Sequence, residues 1–299
     1  MARVAVSHEV LQWAIERSGR QRDIEARFPI DEWLAGVKVP TLRQLEQFAK
    51  VTHTPLGFLF LPQPPQDRMP IPNFRTVADV PFRPSPDLLD SIHDMKRRQD
   101  WMRDRLIDEG AERLPFIGCA NARGEVMPIA RQIRETLSLT QGWASRERTW
   151  GDALRRLQNV VEKSGILLVV NGVVGNNNYR KLDPAEFRGF VLVDDYAPLL
   201  FINGADGKAA QMFTLAHELA HLWFGSSAAF DLRNMQPANN DTEKACNKVA
   251  AEFLVPRDEL RAIWHRPGRE PDFQTVARHF KVSEIVAARR ALDLSLIHI

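Results

Sequence analysis

A proline-rich stretch divides this chain of 299 residues into a short N-terminal part and a long C-terminal part. Residues 62–86 contain eight prolines in 25 positions. Proline fixes its own backbone angle and lacks an amide donor, so regular helix or sheet is disfavoured there. The sequence therefore predicts an extended linker at 62–86, between an N-terminal domain at 1–61 and a larger domain at 87–293.

The N-terminal part contains short helical patterns. Apolar residues recur at helical spacing in residues 10–15, 30–34 and 42–49, and Gly36 and Pro40 separate the last two patterns. Several short helices joined by tight turns predict a small helical domain.

The C-terminal part changes from helical to strand-like patterns and back. Helical patterns occupy 88–110, 127–139 and 150–165. They are followed by two stretches rich in Val, Ile, Leu and Phe, at 166–174 and 186–203, which predict strands of a small sheet. Further helical patterns follow the strands. This order predicts an α+β fold.

The segment 213–225, FTLAHELAHLWFG, is apolar except for a small polar group. On a helix, His217 and His221 lie one turn apart on the same face, so both imidazoles can meet one ion. Zinc binds neutral imidazole nitrogen, and the adjacent Glu218 can reach a water on that ion. The metal lowers the pKa of the water and Glu218 accepts its proton. The spacing therefore predicts a Zn²⁺ site with Glu218 as general base.

The rest of this segment predicts a helix that runs through a core. Thr214 is expected to satisfy a backbone group near the helix start, and Gly225 is expected to end the helix. The other faces are expected to be buried by Phe213, Leu215, Leu219, Leu222 and Trp223.

A catalytic zinc takes three protein ligands, and the helical segment 241–256 offers the third. Glu243 and Asn247 lie four apart on one face, so Glu243 is predicted as the ligand and Asn247 as a hydrogen-bonding partner of the site. Glu252 falls half a turn round and is expected to face solvent or a surface cation. Cys246 lies about 300° round from Glu243, so it is expected to be a buried free cysteine and not a ligand beside Glu243.

Composition limits the classes of partner and compartment. Lys and Arg number 40 against 38 Asp and Glu, so bulk charge gives no argument for nucleic-acid or membrane binding. Only two cysteines occur, Cys119 and Cys246, which favours a reducing compartment. No signal-type or membrane-spanning apolar run is present in the sequence. A cytoplasmic protein without a membrane partner is predicted.

Two stretches together resemble a known family. They are residues 180–225, from RKLDPAEF to HELAHLWFG, and residues 243–256, EKACNKVAAEFLVP. They resemble the ImmA/IrrE family of bacterial zinc metallo-endopeptidases, over roughly 160–256. The resemblance implies a minimal zincin-like metallopeptidase domain in which His217, His221 and Glu243 bind zinc and Glu218 is the general base. It also implies a protein substrate, a partner repressor encoded near mobile elements or stress genes.

Residues 1–60 resemble the degenerate phage-repressor-type helix-turn-helix that precedes such peptidases, with EWLAGVKVPTLRQLEQFAK carrying the similarity. The resemblance implies DNA as a partner. However, Pro29 lies where a recognition helix would begin, and eight basic residues face seven acidic ones, which is poor for following phosphates. A packing or protein-recognition role therefore stays open, and no DNA-contacting residue is assigned.

The last segments carry two further expectations. FQTVARHFKVSEIVAARRAL, residues 273–292, predicts a helical pair and resembles the C-terminal tail of the family. LSLIHI, residues 294–299, resembles a translated sequencing-library adaptor, so it is expected to be non-native and His298 to have no site role.

Three functional hypotheses share these residues. The first is a regulatory zinc endopeptidase that cleaves a partner protein. The second is a DNA- or partner-binding regulator in which the peptidase fold is a sensor without proteolysis. The third is a zinc hydrolase of small amides. The sequence identifies neither the substrate nor the oligomeric state.

Overall fold

The structure is a computed structural model that describes residues 2–65, 84–226, 228–230, 241–264 and 272–297. Most of the predicted linker at 62–86 lies outside these residues, as does His298. The described chain divides into two compact units, with the division between Ile92 and His93, inside one long helix.

The first unit is helical, as its sequence pattern predicts. Its helices are α1 (His8–Ser18), α2 (Gln21–Arg27), α3 (Ile30–Leu34) and α4 (Leu42–Thr52), followed by a 3₁₀ turn at Leu56–Phe60. Its core is centred on Phe28, Trp33 and Phe48, whose ring centroids lie 5.6 to 6.0 Å apart. Aromatic rings at such distances stabilise a small core by more than the burial of their apolar area alone would.

The helix pair α2–α3 occupies the region that resembles a helix-turn-helix. Only Phe28 and Pro29 connect the two helices, and Pro29 precedes the first residue of α3. Since α3 has five residues, it makes less than one and a half turns. DNA binding by residues 1–60 therefore stays a prediction.

The second unit is a mixed α and β structure, which confirms the predicted α+β class. It begins within α5 (Pro86–Asp108), and α6 (Val126–Thr136) and α7 (Trp150–Lys163) follow. The strands are β1 (Leu167–Asn171), β2 (Val173–Val174), β3 (Asn177–Lys181), β4 (Gly189–Leu192), β5 (Leu199–Asn203) and β6 (Ala228–Phe230). The remaining helices are α8 (Lys208–Phe224), α9 (Asp241–Leu254), α10 (Arg257–Trp264), α11 (Phe273–Phe280) and α12 (Glu284–Asp293).

Four strands form one sheet in the order β1-β5-β4-β6. Strand β1 is parallel to β5, whereas β4 is antiparallel to both of its neighbours. Strands β2 and β3 form a separate antiparallel pair, and the polar sequence of β3 carries no strand pattern that could have predicted it. Because β4 and β5 are buried along their whole length, both faces of the sheet are covered there.

The two faces of the sheet contact different residues. Val191, Leu200 and Ile202 belong to the same apolar core as α8. Phe190 and Phe201 are cross-strand partners that stack on the opposite face, with ring centroids 4.8 Å apart. This alternation follows from the two-residue period of a strand. The motif helix α8 therefore lies on one defined face of the sheet.

The end of the described chain contacts the core of the second unit. Leu294, Leu296 and Ile297, from the tail expected to be non-native, are partly buried and pack against the core. None of the helices in the described ranges has both the length and the apolar character needed to span a membrane.

Glu252 differs from its predicted environment. The sequence placed it at solvent or beside a surface cation, but it is 7% exposed. Its carboxylate accepts hydrogen bonds from the Arg290 guanidinium of α12 and from the backbone N–H of Arg257. Arg290 also donates from Nε to the carbonyl oxygen of Val255, at 3.0 Å. A cation partner was expected, but the expected exposure was wrong, because Glu252 and Arg290 of α12 are both buried.

We expect Glu252→Ala to lower the free energy of unfolding by about 3–5 kcal/mol, because it leaves the buried Arg290 guanidinium without its anion. Urea titration followed by circular dichroism measures this change. The control is Glu109→Ala, which breaks an exposed pair with Arg105 and is expected to cost at most about 1 kcal/mol. Equal losses in the two variants would contradict the buried-pair interpretation.

Candidate metal centre

Helix α8 is buried along most of its length. It packs against β4 and β5 on one side and against α9 on the other. Leu215, Leu219, Leu222 and Trp223 are buried, as predicted, whereas Phe213 is only partly buried. A helix in this position carries its polar residues into the interior, where they need partners from neighbouring elements.

The predictions for the ends of α8 had different outcomes. Gly225 follows the helix with a φ of 65°, so it ends the helix as predicted. Thr214 is not near the start, because α8 begins at Lys208, so that expectation was wrong. The Thr214 side chain is buried, and its Oγ1 contacts no hydrogen-bonding atom in the described part of the chain.

A loop before α6 contacts the C-terminal end of α8 through backbone hydrogen bonds. The backbone N–H groups of Gly118 and Ala120 donate to the carbonyl oxygens of Leu222 and Trp223, both at 2.9 Å. The Phe116 ring stacks on Trp223, with centroids 4.6 Å apart. The last carbonyls of a helix lack partners within it, so this loop satisfies two of them. The sequence patterns did not predict this contact.

Three predicted metal-binding side chains converge between α8 and α9. Nε2 of His217 lies 3.1 Å from Nε2 of His221 and 3.1 Å from Oε2 of Glu243. Nε2 of His221 lies 3.1 Å from Oε1 of Glu243. Ligands about 2.0–2.1 Å from a tetrahedral ion are separated by about 3.4 Å, so the three contacts are close to, and slightly shorter than, the spacing that Zn²⁺ requires.

Asn247 determines which nitrogen of His217 faces this cluster. Oδ1 of Asn247 lies 3.1 Å from Nδ1 of His217. Because an amide oxygen only accepts, Nδ1 donates to it and the neutral ring keeps its lone pair on Nε2. Nε2 therefore faces a carboxylate oxygen and a second imidazole nitrogen. Electron-rich atoms this close repel one another unless a cation or a proton lies among them, so the donor set fits a metal ion.

The protonation states also suit a cation. Burial lowers the pKa of His217, which favours the neutral ring that metals bind. Burial alone would raise the pKa of Glu243, but a proton on the imidazole nitrogens that face it outweighs that effect and holds the pKa well below the usual range, as a cation in the same place would. The cluster thus combines a neutral imidazole with a carboxylate anion.

Glu218 lies in the same region and differs sharply from Glu243. It is fully buried, and neither carboxylate oxygen has a hydrogen-bond partner within the described residues. Burial, and secondarily the charge of Glu243, raise the pKa of Glu218 well above its usual range. Two neighbouring carboxyl groups with pKa values pushed apart are typical of sites for proton transfer.

Gly189 of β4 lies at the site, although no motif in the sequence includes it. A Cβ at this position would lie 2.7 Å from Cγ2 of Thr214, 2.9 Å from the carbonyl oxygen of Phe201 and 3.2 Å from Oε1 of Glu218. The strand backbone therefore packs directly against α8 where Glu218 lies. A glycine inside an apolar strand was the available signal, since it marks a close backbone approach.

Cys246 lies closer to the histidines than predicted. It is buried and free, as expected, but its sulfur and one ring nitrogen each from His217 and His221 all lie within 4.8 Å of one another. The angular reason for excluding it beside Glu243 was wrong, because an advance of about 300° leaves two side chains only about 60° apart. Glu243 remains the better ligand. It lies nearer, whereas burial and neighbouring carboxylates raise the pKa of the Cys246 thiol well above its usual range.

Comparison with known proteins supports the metallopeptidase-like interpretation of this unit. Residues 161–292 match the family model of the IrrE N-terminal-like domain, Peptidase_M78. No curated protein matches the chain. The match covers less than half of the chain, from the end of α7 into α12, and includes every residue of the candidate centre except the preceding loop at 116–120. In this segment the chain is similar to the IrrE N-terminal-like peptidase domain.

Proposed function

We propose that the second unit is a zinc-dependent endopeptidase of regulatory type. The observation that carries this proposal is the juxtaposition of the His217–His221–Glu243 cluster with the buried, unpartnered carboxyl group of Glu218. A purely structural cluster would have no need for a second carboxyl group without hydrogen bonds, because its burial costs free energy.

The residues have distinct roles in this proposal. His217, His221 and Glu243 hold Zn²⁺, and Asn247 orients the His217 ring. When bound, zinc supplies a Lewis acid that polarises the substrate carbonyl and lowers the pKa of a bound water. Glu218 accepts a proton from the attacking water at a carboxylate oxygen and delivers it to the leaving amine. The low-dielectric surroundings of Glu218 disfavour its charged form, which raises its proton affinity and favours uptake of the proton from the attacking water.

The substrate we propose is a partner protein, specifically a transcriptional repressor. The support is the resemblance of residues 180–225 and 243–256 to regulatory peptidases, together with the family match. The sensor hypothesis uses the same metal ligands but needs no general base, and hydrolysis of small amides needs all four residues. A test of Glu218 therefore distinguishes the endopeptidase hypothesis from the sensor hypothesis. The length of the cleaved substrate distinguishes the endopeptidase hypothesis from hydrolysis of small amides.

We expect Glu218→Gln to retain bound zinc and to lose cleavage of a co-expressed repressor by at least about a hundredfold, because the amide cannot accept the proton. Metal content is measured by atomic absorption and cleavage by gel electrophoresis. Glu135→Gln, an exposed change in α6, is the matched control and should cleave normally. Undiminished regulation by the Glu218 variant would favour the sensor hypothesis.

We expect His217→Ala, His221→Ala and Glu243→Ala each to lose zinc affinity by a large factor, because two remaining ligands hold the ion weakly. Competition with a zinc-binding dye measures the affinity without requiring activity. Lowering the pH should release the metal from the wild type, since protonated imidazoles cannot bind it. Equal zinc content in the wild type and all three variants would refute the proposed ligands.

We expect Asn247→Ala to weaken zinc binding by about 10–100-fold, because the His217 ring loses the acceptor that fixes its tautomer. Asn247→Asp should retain more affinity, since a carboxylate still accepts the Nδ1 proton. The same dye competition compares the two variants. If both bind zinc as the wild type does, Asn247 has no orienting role.

A further inference from the structure

A groove in the second unit lies between α5 and β1, outside the candidate metal centre. Its volume is about 640 Å³, and its walls are mainly apolar. Trp101 and Met102 of α5 line one wall, and Leu167, Leu168 and Val169 of β1 line the other. Trp101 is 61% exposed, which is unusual for so large an apolar side chain.

Strand β1 is an edge of the four-stranded sheet, with β5 as its only neighbour among the described strands. The N–H of Leu167 donates to the carbonyl of Pro198, and the carbonyl of Asn171 accepts from the N–H of Gly204. In a parallel ladder, alternate residues bond to the same neighbour, so Val169 also faces β5.

The backbone groups of Leu168 and Val170 therefore point to the open side of β1. No backbone hydrogen bond involves them in the described residue ranges outside the β1–β5 ladder. An edge strand with free N–H and C=O groups is a template for another extended chain. These groups specify the chemistry of an occupant more closely than the apolar walls do.

We propose that this groove binds an extended peptide segment of a partner protein, which pairs with β1 as an added strand. The main chain of the segment would bond to the peptide groups of Leu168 and Val170. Its alternate side chains would pack against Leu167, Val169 and the exposed Trp101. This proposal concerns recognition and does not depend on the proposed peptidase activity.

The charges and the shape of the groove restrict the kind of segment that could bind there. Arg97 and Arg98 at the rim both pair with Asp94, and Glu162 adds a second acidic group. The rim is therefore balanced in charge and favours a segment of alternating apolar and neutral polar residues. Because residues of both α5 and β1 line the groove, a single extended segment that pairs with β1 would also contact α5.

The test begins with phage selection of random peptides, about ten residues long, on the full-length protein. Enriched peptides are labelled with fluorescein, and their affinities are measured by fluorescence anisotropy. Val170→Pro removes one outward N–H and should weaken binding by about tenfold. Val170→Thr keeps that N–H and should bind within about twofold of the wild type. Trp101→Ala, on the opposite wall, should also weaken binding by about tenfold.

Peptide N-methylation distinguishes strand pairing from simple apolar binding. Methyl groups on one alternate set of peptide amides should abolish binding to the wild type, whereas those on the other set should be tolerated. This comparison decides the proposal even if Val170→Pro fails to fold. The proposal is overturned if no selected peptide discriminates Val170→Pro from Val170→Thr and neither methylation pattern matters. If the free protein forms a dimer and Val170→Pro abolishes that dimer, the edge of β1 binds a second copy of the chain. That result would also overturn the proposal.

Discussion

The candidate centre depends on the burial of electron-rich groups that repel one another. Two imidazole nitrogens and a carboxylate meet at about 3.1 Å, on side chains that are all buried. Such an arrangement persists only on rigid supports. The sheet below α8, the loop at its C-terminal end and the close packing of α9 provide that support. Much of the second unit can therefore be understood as the means by which one unfavourable cluster is held in place.

Local patterns predicted the elements that supply the cluster. The four-residue spacing of His217 and His221 specifies a shared helix face, and the same spacing relates Glu243 to Asn247. Runs of β-branched and aromatic residues identified β1, β4 and β5. These features depend on neighbours within one element, so periodicity suffices to find them.

The features that the sequence did not predict depend on contacts between distant segments. Gly189 is required by the approach of β4 to α8, and the loop at 116–120 pairs with a helix about a hundred residues later. Errors arose in the same way. Thr214 was assigned to a helix start because the polar residues before it conceal an earlier beginning at Lys208. Glu252 was assigned to solvent because a helix with two covered faces looks, in sequence, like a helix with one.

The two covered faces of α9 have a consequence for shortened forms of the protein. Glu243 points from one face to the histidines, and Glu252 points from the other to Arg290 in α12. A product that stopped before α12 would contain every residue of the candidate centre, yet it would lose the cation that pairs with Glu252 and the α12 residues Ala287 and Ala291 of the core. The C-terminal helices are therefore an integral part of the peptidase-like unit, and a stable fragment of it is expected to extend through α12.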